Sequence, residues 1–189
     1  MNDEKWMDVA LEQAETALGN GEFPVGCVLV SGDTVVGSGA RKCSTGDDTN
    51  ELDHAEITAI RDWIKRGRQK GEDGITAYVT LEPCLMCLGA LIINGIDRIV
   101  FAYEDVMGGA CGADFTRPLT YCSTNIRSKD RAEHLYLKYA GNRGGAEIIG
   151  GFMRERSLML FYDFFANDAN GYLKDTYLAR YTLEQGKRK

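Results

Sequence analysis

Histidine is scarce in this chain, two in 189 residues, so no site here rests on a cluster of imidazoles. An apolar run of the roughly 20 residues needed to cross a membrane is also missing. The opening MNDEKWMDVA is acidic and polar and does not suit a signal or transit peptide, which sets a cytoplasmic expectation. Basic charge is in deficit: 22 Lys and Arg stand against 28 Asp and Glu, a net charge of −6. That balance disfavours broad binding to a polyanion, which needs a basic face. Arg61, Lys65, Arg66, Arg68 and Lys70 gather near one expected helix end, and Lys187, Arg188 and Lys189 close the chain. Basic residues late in a helix ordinarily complement its dipole. The six cysteines do not make a disulfide framework in a cytoplasmic chain of this size. Cys27, inside VGCVLV, reads as a small buried hydrophobe, and Cys43, Cys111 and Cys122 lack partners at ligand spacing. Only Cys84 and Cys87 have that spacing, and no second C-x-x-C exists to complete a four-thiolate structural site.

What is there is an ordinary globular composition, 44% apolar and 26% charged. A chain of this length buries a sizeable core without staples and is most simply one domain over residues 1–189. Residues 3–18 predict an amphipathic helix stopped by Gly19-Asn20-Gly21. Val25–Val30 and Thr34–Val36 flank Ser31-Gly32-Asp33 as a β-hairpin. A helix is expected from Asp53 to Arg66, a strand at Thr76–Thr80, a helix from Pro83 to Ile93, and a strand at Arg98–Tyr103. Further on, the pattern predicts a helix over 128–140, a strand at Ala146–Ile149, and helices at Met153–Phe165 and Tyr172–Leu183. The order α-β-β-α-β-α-β predicts an α/β fold, a sheet covered by helices.

The stretch LDHAEITAI, Leu52 to Ile60, holds one of the two histidines. Asp53 reads as an N-cap, and Glu56 as the third helical residue reaching back to it, a capping box. Capping leaves His54 unexplained. Cys84 and Cys87, three apart at a helix start, face the same side, and a helix N-terminus stabilises thiolates. Alone, that pair reads equally as a redox motif or as two buried thiols. In a βαβ arrangement the helices start at the same sheet edge, so His54, Cys84 and Cys87 converge there. Three protein ligands leave one position for water, which is the catalytic pattern for zinc. Glu56 then stands beside the metal as a carrier of protons.

His54-Ala55-Glu56 with Pro83-Cys84-Leu85-Met86-Cys87 is the H-x-E…P-C-x-x-C signature of zinc nucleobase deaminases. On these residues the chain resembles the cytidine/deoxycytidylate deaminase superfamily, within it the branch of tRNA adenosine deaminases and guanine or cytosine deaminases. Gly21–Gly26, Thr80–Cys84, Gly89-Ala90 and Ile96–Ile99 resemble that branch too, and Gly150–Phe165 resembles its last strand and C-terminal helix. The resemblance implies a three-layer α/β/α sandwich with a five-stranded mixed sheet, plus extra C-terminal helices. It implies one Zn2+ held by His54, Cys84 and Cys87, and hydrolysis at a ring carbon bearing an exocyclic amine, with Glu56 catalytic. It further implies main-chain groups near Glu82 holding the amine, Val25 packing on the base, and a homodimer.

Departures from the family bear on the substrate. Where relatives usually place an asparagine after the second hairpin strand, this chain has Arg41. Arginine only donates, so it suits a carboxylate or phosphate on a substrate, or else faces solvent; Asn50 is a nearby substitute. Asp53, where relatives carry a small residue, reads as a cap or as a substrate contact. Asp105 matches a position that touches the sugar in tRNA adenosine deaminases, and it also reads as an ordinary solvated loop residue. Residues 117–146 resemble an insertion and 167–189 a C-terminal helical extension. Tyr136, Tyr139, Phe161, Tyr162, Phe165 and Tyr172 either cap a small pocket or fill the core. The expected substrate is a small nucleobase or nucleoside of guanine, cytosine or adenine type, with no membrane partner. A tRNA adenosine deaminase is the alternative within the superfamily, and a non-catalytic zinc-binding interaction module the alternative of another class.

Overall fold

The computed structural model describes residues 2–69, 71, 74–113 and 146–187. Helix α1 (Asp3–Gly19) is followed by strands β1 (Gly26–Ser31) and β2 (Thr34–Ala40), helix α2 (Ala55–Lys65), strand β3 (Thr76–Leu81) and helix α3 (Leu85–Ile93). Strands β4 (Arg98–Tyr103) and β5 (Glu147–Ile149) and helices α4 (Arg154–Ala166) and α5 (Tyr177–Gly186) follow among the described residues. The helix expected at 128–140, Cys122, Tyr136, Tyr139 and nearly all of the expected 117–146 insertion lie outside the described residues.

The strands form one mixed sheet in the order β2-β1-β3-β4-β5. Strand β1 is antiparallel to both β2 and β3, whereas β3, β4 and β5 run parallel. Because β2 and β3 are both antiparallel to β1, they point the same way. The helices that follow them, α2 and α3, therefore begin beyond the same sheet edge. Gly32, at φ +57°, and Asp33 close the hairpin, with Ser31 opposite Thr34.

Alternation along β1 sorts the core onto two faces. Val28 and Val30 pack with Trp6, Met7, Ala10 and Leu11 of α1. Cys27 and Leu29 pack on the other face, with Ala59 and Trp63 of α2 and Leu88 and Leu91 of α3. Strand β3 is buried along its whole length, as a central strand covered on both faces must be. This is the expected layering of helices on either side of a five-stranded mixed sheet. In α4, Phe161 and Phe164 join the α2 and α3 side, while Leu160 packs against the α1 side.

Two glycines of β2 set how closely α2 lies on the sheet. A Cβ on Gly39 would stand 2.4 Å from the Ala55 carbonyl oxygen, and one on Gly37 would stand 2.6 Å from that of Ala59. Only a residue without a side chain lets the helix backbone come this near.

Three helix starts correct the sequence reading. His54, not Asp53, is the N-cap of α2, and it makes no side-chain cap bond. The capping box does not form, because the Asp53 carboxylate accepts from Asn50 Nδ2 at 3.0 Å and from Arg61 Nη1 at 2.6 Å. Helix α3 is capped by Cys84, so Pro83 stands just before the cap and not inside the first turn. Helix α5 starts at Tyr177 and not at Tyr172, because the Thr176 side chain caps it by accepting from the Ala179 amide. Three of the basic residues near the end of α2 are engaged locally: Arg61 pairs with Asp53, Arg66 with Asp62, and Arg68 lies over the Trp63 ring.

Gly39→Ala is expected to cost about 1–3 kcal/mol, the usual range for forcing a methyl into a filled space. Gly19→Ala is the control, since nothing lies within 4 Å of its added Cβ. Urea unfolding monitored by circular dichroism reads both, and equal midpoints for the two variants would contradict the close α2–β2 contact.

Candidate active site

Two helix starts meet at one point. His54 is the N-cap of α2, Cys84 the N-cap of α3, and Cys87 lies in the first turn of α3. His54 Nδ1 is 3.7 Å from Cys84 Sγ and 3.5 Å from Cys87 Sγ, and the three donor atoms lie within 4.8 Å of one another. A tetrahedral ion bonded to sulfur at about 2.3 Å and to nitrogen at about 2.0 Å sets these atoms about 3.5 Å apart. The donor spacing and the donor set therefore fit zinc. The other ring nitrogen, His54 Nε2, lies 3.4 Å from Glu51 Oε2. A ligating histidine ordinarily has such a carboxylate behind it, which fixes the tautomer and leaves Nδ1 for the metal.

The thiols are poised unequally. Hydrogen bonding from Cys87, aided by His54, pushes the Cys84 thiol down to about 4. Cys87 moves the other way, because its hydrogen bond to Cys84 and its burial hold the proton on. The protein alone thus favours one thiolate, and a bound divalent cation draws off the second proton. Glu56, on the first turn of α2, is 3% exposed, and it is the only buried acid among the described residues. Burial pushes its carboxyl above the ordinary range. That moves it toward the neutral pH at which a group best takes up and returns protons.

His54, Cys84 and Glu56 open on a cavity of about 250 Å³. Phe23 and Val25 line it ahead of β1, Leu81 and Glu82 at the end of β3, and Asp105, Met107 and Gly108 after β4. Tyr172, Leu173 and Leu178 form a wall from the C-terminal segment. Leu173 adopts φ +55°, a left-handed conformation that costs a side-chain-bearing residue about 1–2 kcal/mol. Phe23 is set by its amide, which donates to Ser44 Oγ at 2.8 Å. The Glu22 carboxylate in turn accepts from the Cys43 and Ser44 amides.

Of the substrate contacts anticipated from sequence, Val25, Arg41, Glu82 and Asp105 line this cavity and Asp53 does not. Asp53 is turned away into its ion pair with Arg61. Asn50 offers no free amide either, because its Oδ1 accepts from the Leu52 and Asp53 amides and its Nδ2 donates to Asp53. Glu82 and Asp105 brace the loop after β4: Glu82 accepts from the Cys111 amide at 3.1 Å, and Asp105 from the Met107 and Gly108 amides at 2.9 Å. Arg41 is buried, not facing solvent. Of the aromatics singled out in the sequence, Tyr172 lines the cavity, whereas Phe161 and Phe165 lie in the core beside Phe23. Glu51 escaped the sequence reading, although its place three residues before His54 was a usable signal. Leu173 and Leu178 carried none.

Residues 1–103 match the family model of the cytidine and deoxycytidylate deaminase zinc-binding region. The chain belongs to that family. This deaminase is a zinc-binding hydrolase acting on C–N bonds. It is 33% identical over 171 residues to tRNA-specific adenosine deaminase 2 of Xenopus tropicalis, covering 87% of this chain and 89% of that one. A solved structure from work on A-to-I editing by tRNA:A34 deaminases aligns with TM-score 0.58 and 25% identity, over 83% of this chain and 99% of the other. The guanine deaminase from Nitrosomonas europaea aligns with TM-score 0.61 at 20% identity, over 86% and 84% of the two chains, a likeness of fold.

Purified protein should carry about one zinc per chain by plasma emission spectrometry, and His54→Ala or Cys87→Ser should carry little. Glu51→Gln should keep the metal but bind it about 10-fold more weakly in a chelator competition, the usual effect of removing a partner behind a ligand. Full zinc occupancy in Cys87→Ser would exclude that thiol from the metal.

Proposed function

We propose that this deaminase removes the exocyclic amine from a small nucleobase or nucleoside, with His54, Cys84 and Cys87 as the zinc ligands and Glu56 as the proton carrier. The observation that carries this reading is the buried Glu56 beside the three metal donors, on a small cavity walled by its own C-terminal segment. When bound, zinc supplies a hydrolytic water of lowered pKa. Val25 packs against the face of the ring, and the chain around Glu82 borders the amine-bearing carbon. Glu56 takes a proton from the attacking water, delivers it to the ring nitrogen, and carries the next to the departing amine. Water and amine thus become a ring carbonyl and ammonia. The burial that raises the Glu56 carboxyl suits it to both directions of transfer.

Two features favour a small substrate. Tyr172 donates its hydroxyl to Glu51 at 3.0 Å, drawing the C-terminal segment across the cavity. Glu51, Glu56, Glu82 and Asp105 also give the lining an acidic balance that phosphates do not favour. A second reading, deamination of adenosine in a tRNA, is favoured by the name of the Xenopus relative. A homodimer belongs to the proposal as well, since Leu52, Leu85 and Met86 are exposed apolar side chains beside the metal donors. Five free cysteines among the described residues suit the reducing cytoplasm.

An ammonia-release screen over cytosine, guanine, adenine and their nucleosides should find a substrate. Glu56→Gln should lower kcat on it by about 10²- to 10⁴-fold, the usual share of a general acid–base group. Undiminished turnover in Glu56→Gln would remove the centre of the proposal. Tight, salt-sensitive binding of a tRNA anticodon arm, with turnover, would move the assignment to the second reading.

A further inference from the structure

Arg41 follows the last residue of β2, and its amide donates to the Val25 carbonyl at 2.8 Å. That bond places it beside a residue of the cavity wall, and Arg41 itself lines the cavity. Its side chain is 2% exposed. One guanidinium nitrogen is fully engaged: Nη2 donates to the Asn50 carbonyl at 2.8 Å and to Glu51 Oε2 at 3.0 Å, and lies 3.5 Å from the Tyr172 hydroxyl. The Tyr172 ring sits 5.7 Å from the guanidinium carbon. The other terminal nitrogen, Nη1, is buried and has no partner. Among the described residues only Trp6 Nε1 shares that state, and Trp6 lies in the core under α1, away from the cavity. A buried cationic donor left without an acceptor is strongly unfavourable, so what fills the cavity is expected to supply one.

The chemistry of that acceptor follows from the surroundings. A guanidinium donates and never accepts, so an N–H edge of a ligand is rejected here. Glu51 already pairs with Arg41, and Glu56, Glu82 and Asp105 line the same cavity. A phosphate or carboxylate would therefore meet more negative than positive charge. We propose that Arg41 is a specificity-determining residue that reads an uncharged acceptor on the ring of an amino heterocycle, a carbonyl oxygen or an aza nitrogen. Glu51 and Tyr172 are the positioning residues that hold its guanidinium. This rests on reading the cavity as the deamination site.

The test pairs ligands that differ at one acceptor, on the zinc-loaded protein. Guanine against 6-thioguanine and cytosine against 2-thiocytosine replace a carbonyl oxygen by a poorly accepting sulfur, and adenine against 7-deazaadenine removes an aza nitrogen. The wild-type protein should prefer the acceptor-bearing member of at least one pair by about 10- to 100-fold in kcat/KM, the range of a charge-assisted hydrogen bond. Arg41→Met should bring that ratio close to one, and Tyr172→Phe should raise KM for the preferred member several-fold while sparing kcat. Calorimetric binding of the same pairs to Glu56→Gln gives the ratio without turnover and covers an Arg41→Met that folds poorly, through Tyr172→Phe in that background. Absence of any turnover together with a clear binding ratio would remove the small-base deamination reading and leave Arg41 as the reader. Equal treatment of every pair by the wild-type protein, an equal loss on both members in Arg41→Met, or competition by a nucleoside monophosphate stronger than by its nucleoside would overturn the proposal.

Discussion

Gly37 and Gly39 remove the side chains that would hold α2 off β2, so the helix backbone rests directly on the strand. The start of that helix carries both His54, as its N-cap, and Glu56, in its first turn. Their height above the sheet is therefore fixed by backbone contact and does not depend on a packed side chain that can change rotamer. Helix α3 brings Cys84 and Cys87 from β3, two strands away in the sheet. The donor spacing near 3.5 Å is then a property of sheet geometry, with each donor carried on a rigid element.

Much of this was legible in the sequence because the signals were local or periodic. The strand Arg98–Tyr103 coincides with its sequence expectation, and the hairpin closes at Gly32-Asp33. The placing of one histidine and two cysteines at helix starts needed only the order of elements. What failed was a local rule overruled from elsewhere. Asp53 has the chemistry of a cap, but Arg61 and Asn50 claim its carboxylate, and His54 takes the cap position. Arg41 was readable as a departure but not as a buried group, since its surroundings include Tyr172, 131 positions along the chain. Leu173 and Leu178 looked like any other leucines, and only tertiary structure makes them a wall.

Glu51 gathers several of these parts at one carboxylate. It faces His54 Nε2, accepts from Arg41 Nη2, and accepts from the Tyr172 hydroxyl. Its side chain is 68% exposed, so each bond adds little stability by itself. Its role is geometric: the metal histidine, the cavity arginine and the C-terminal segment share one reference point.

The far wall of the cavity has an anchorage of its own. Helix α5 is tied to the sheet by the contact between the Tyr103 hydroxyl and Thr182 Oγ1, 3.0 Å, and by the Tyr181 hydroxyl donating to Glu104 at 2.7 Å. None of these four residues carries a metal donor. Helix α5 and the two helix starts that bring the metal donors together thus have separate anchorages on one sheet. Changes within α5 that keep those two contacts leave the helix starts bearing His54, Cys84 and Cys87 where they are.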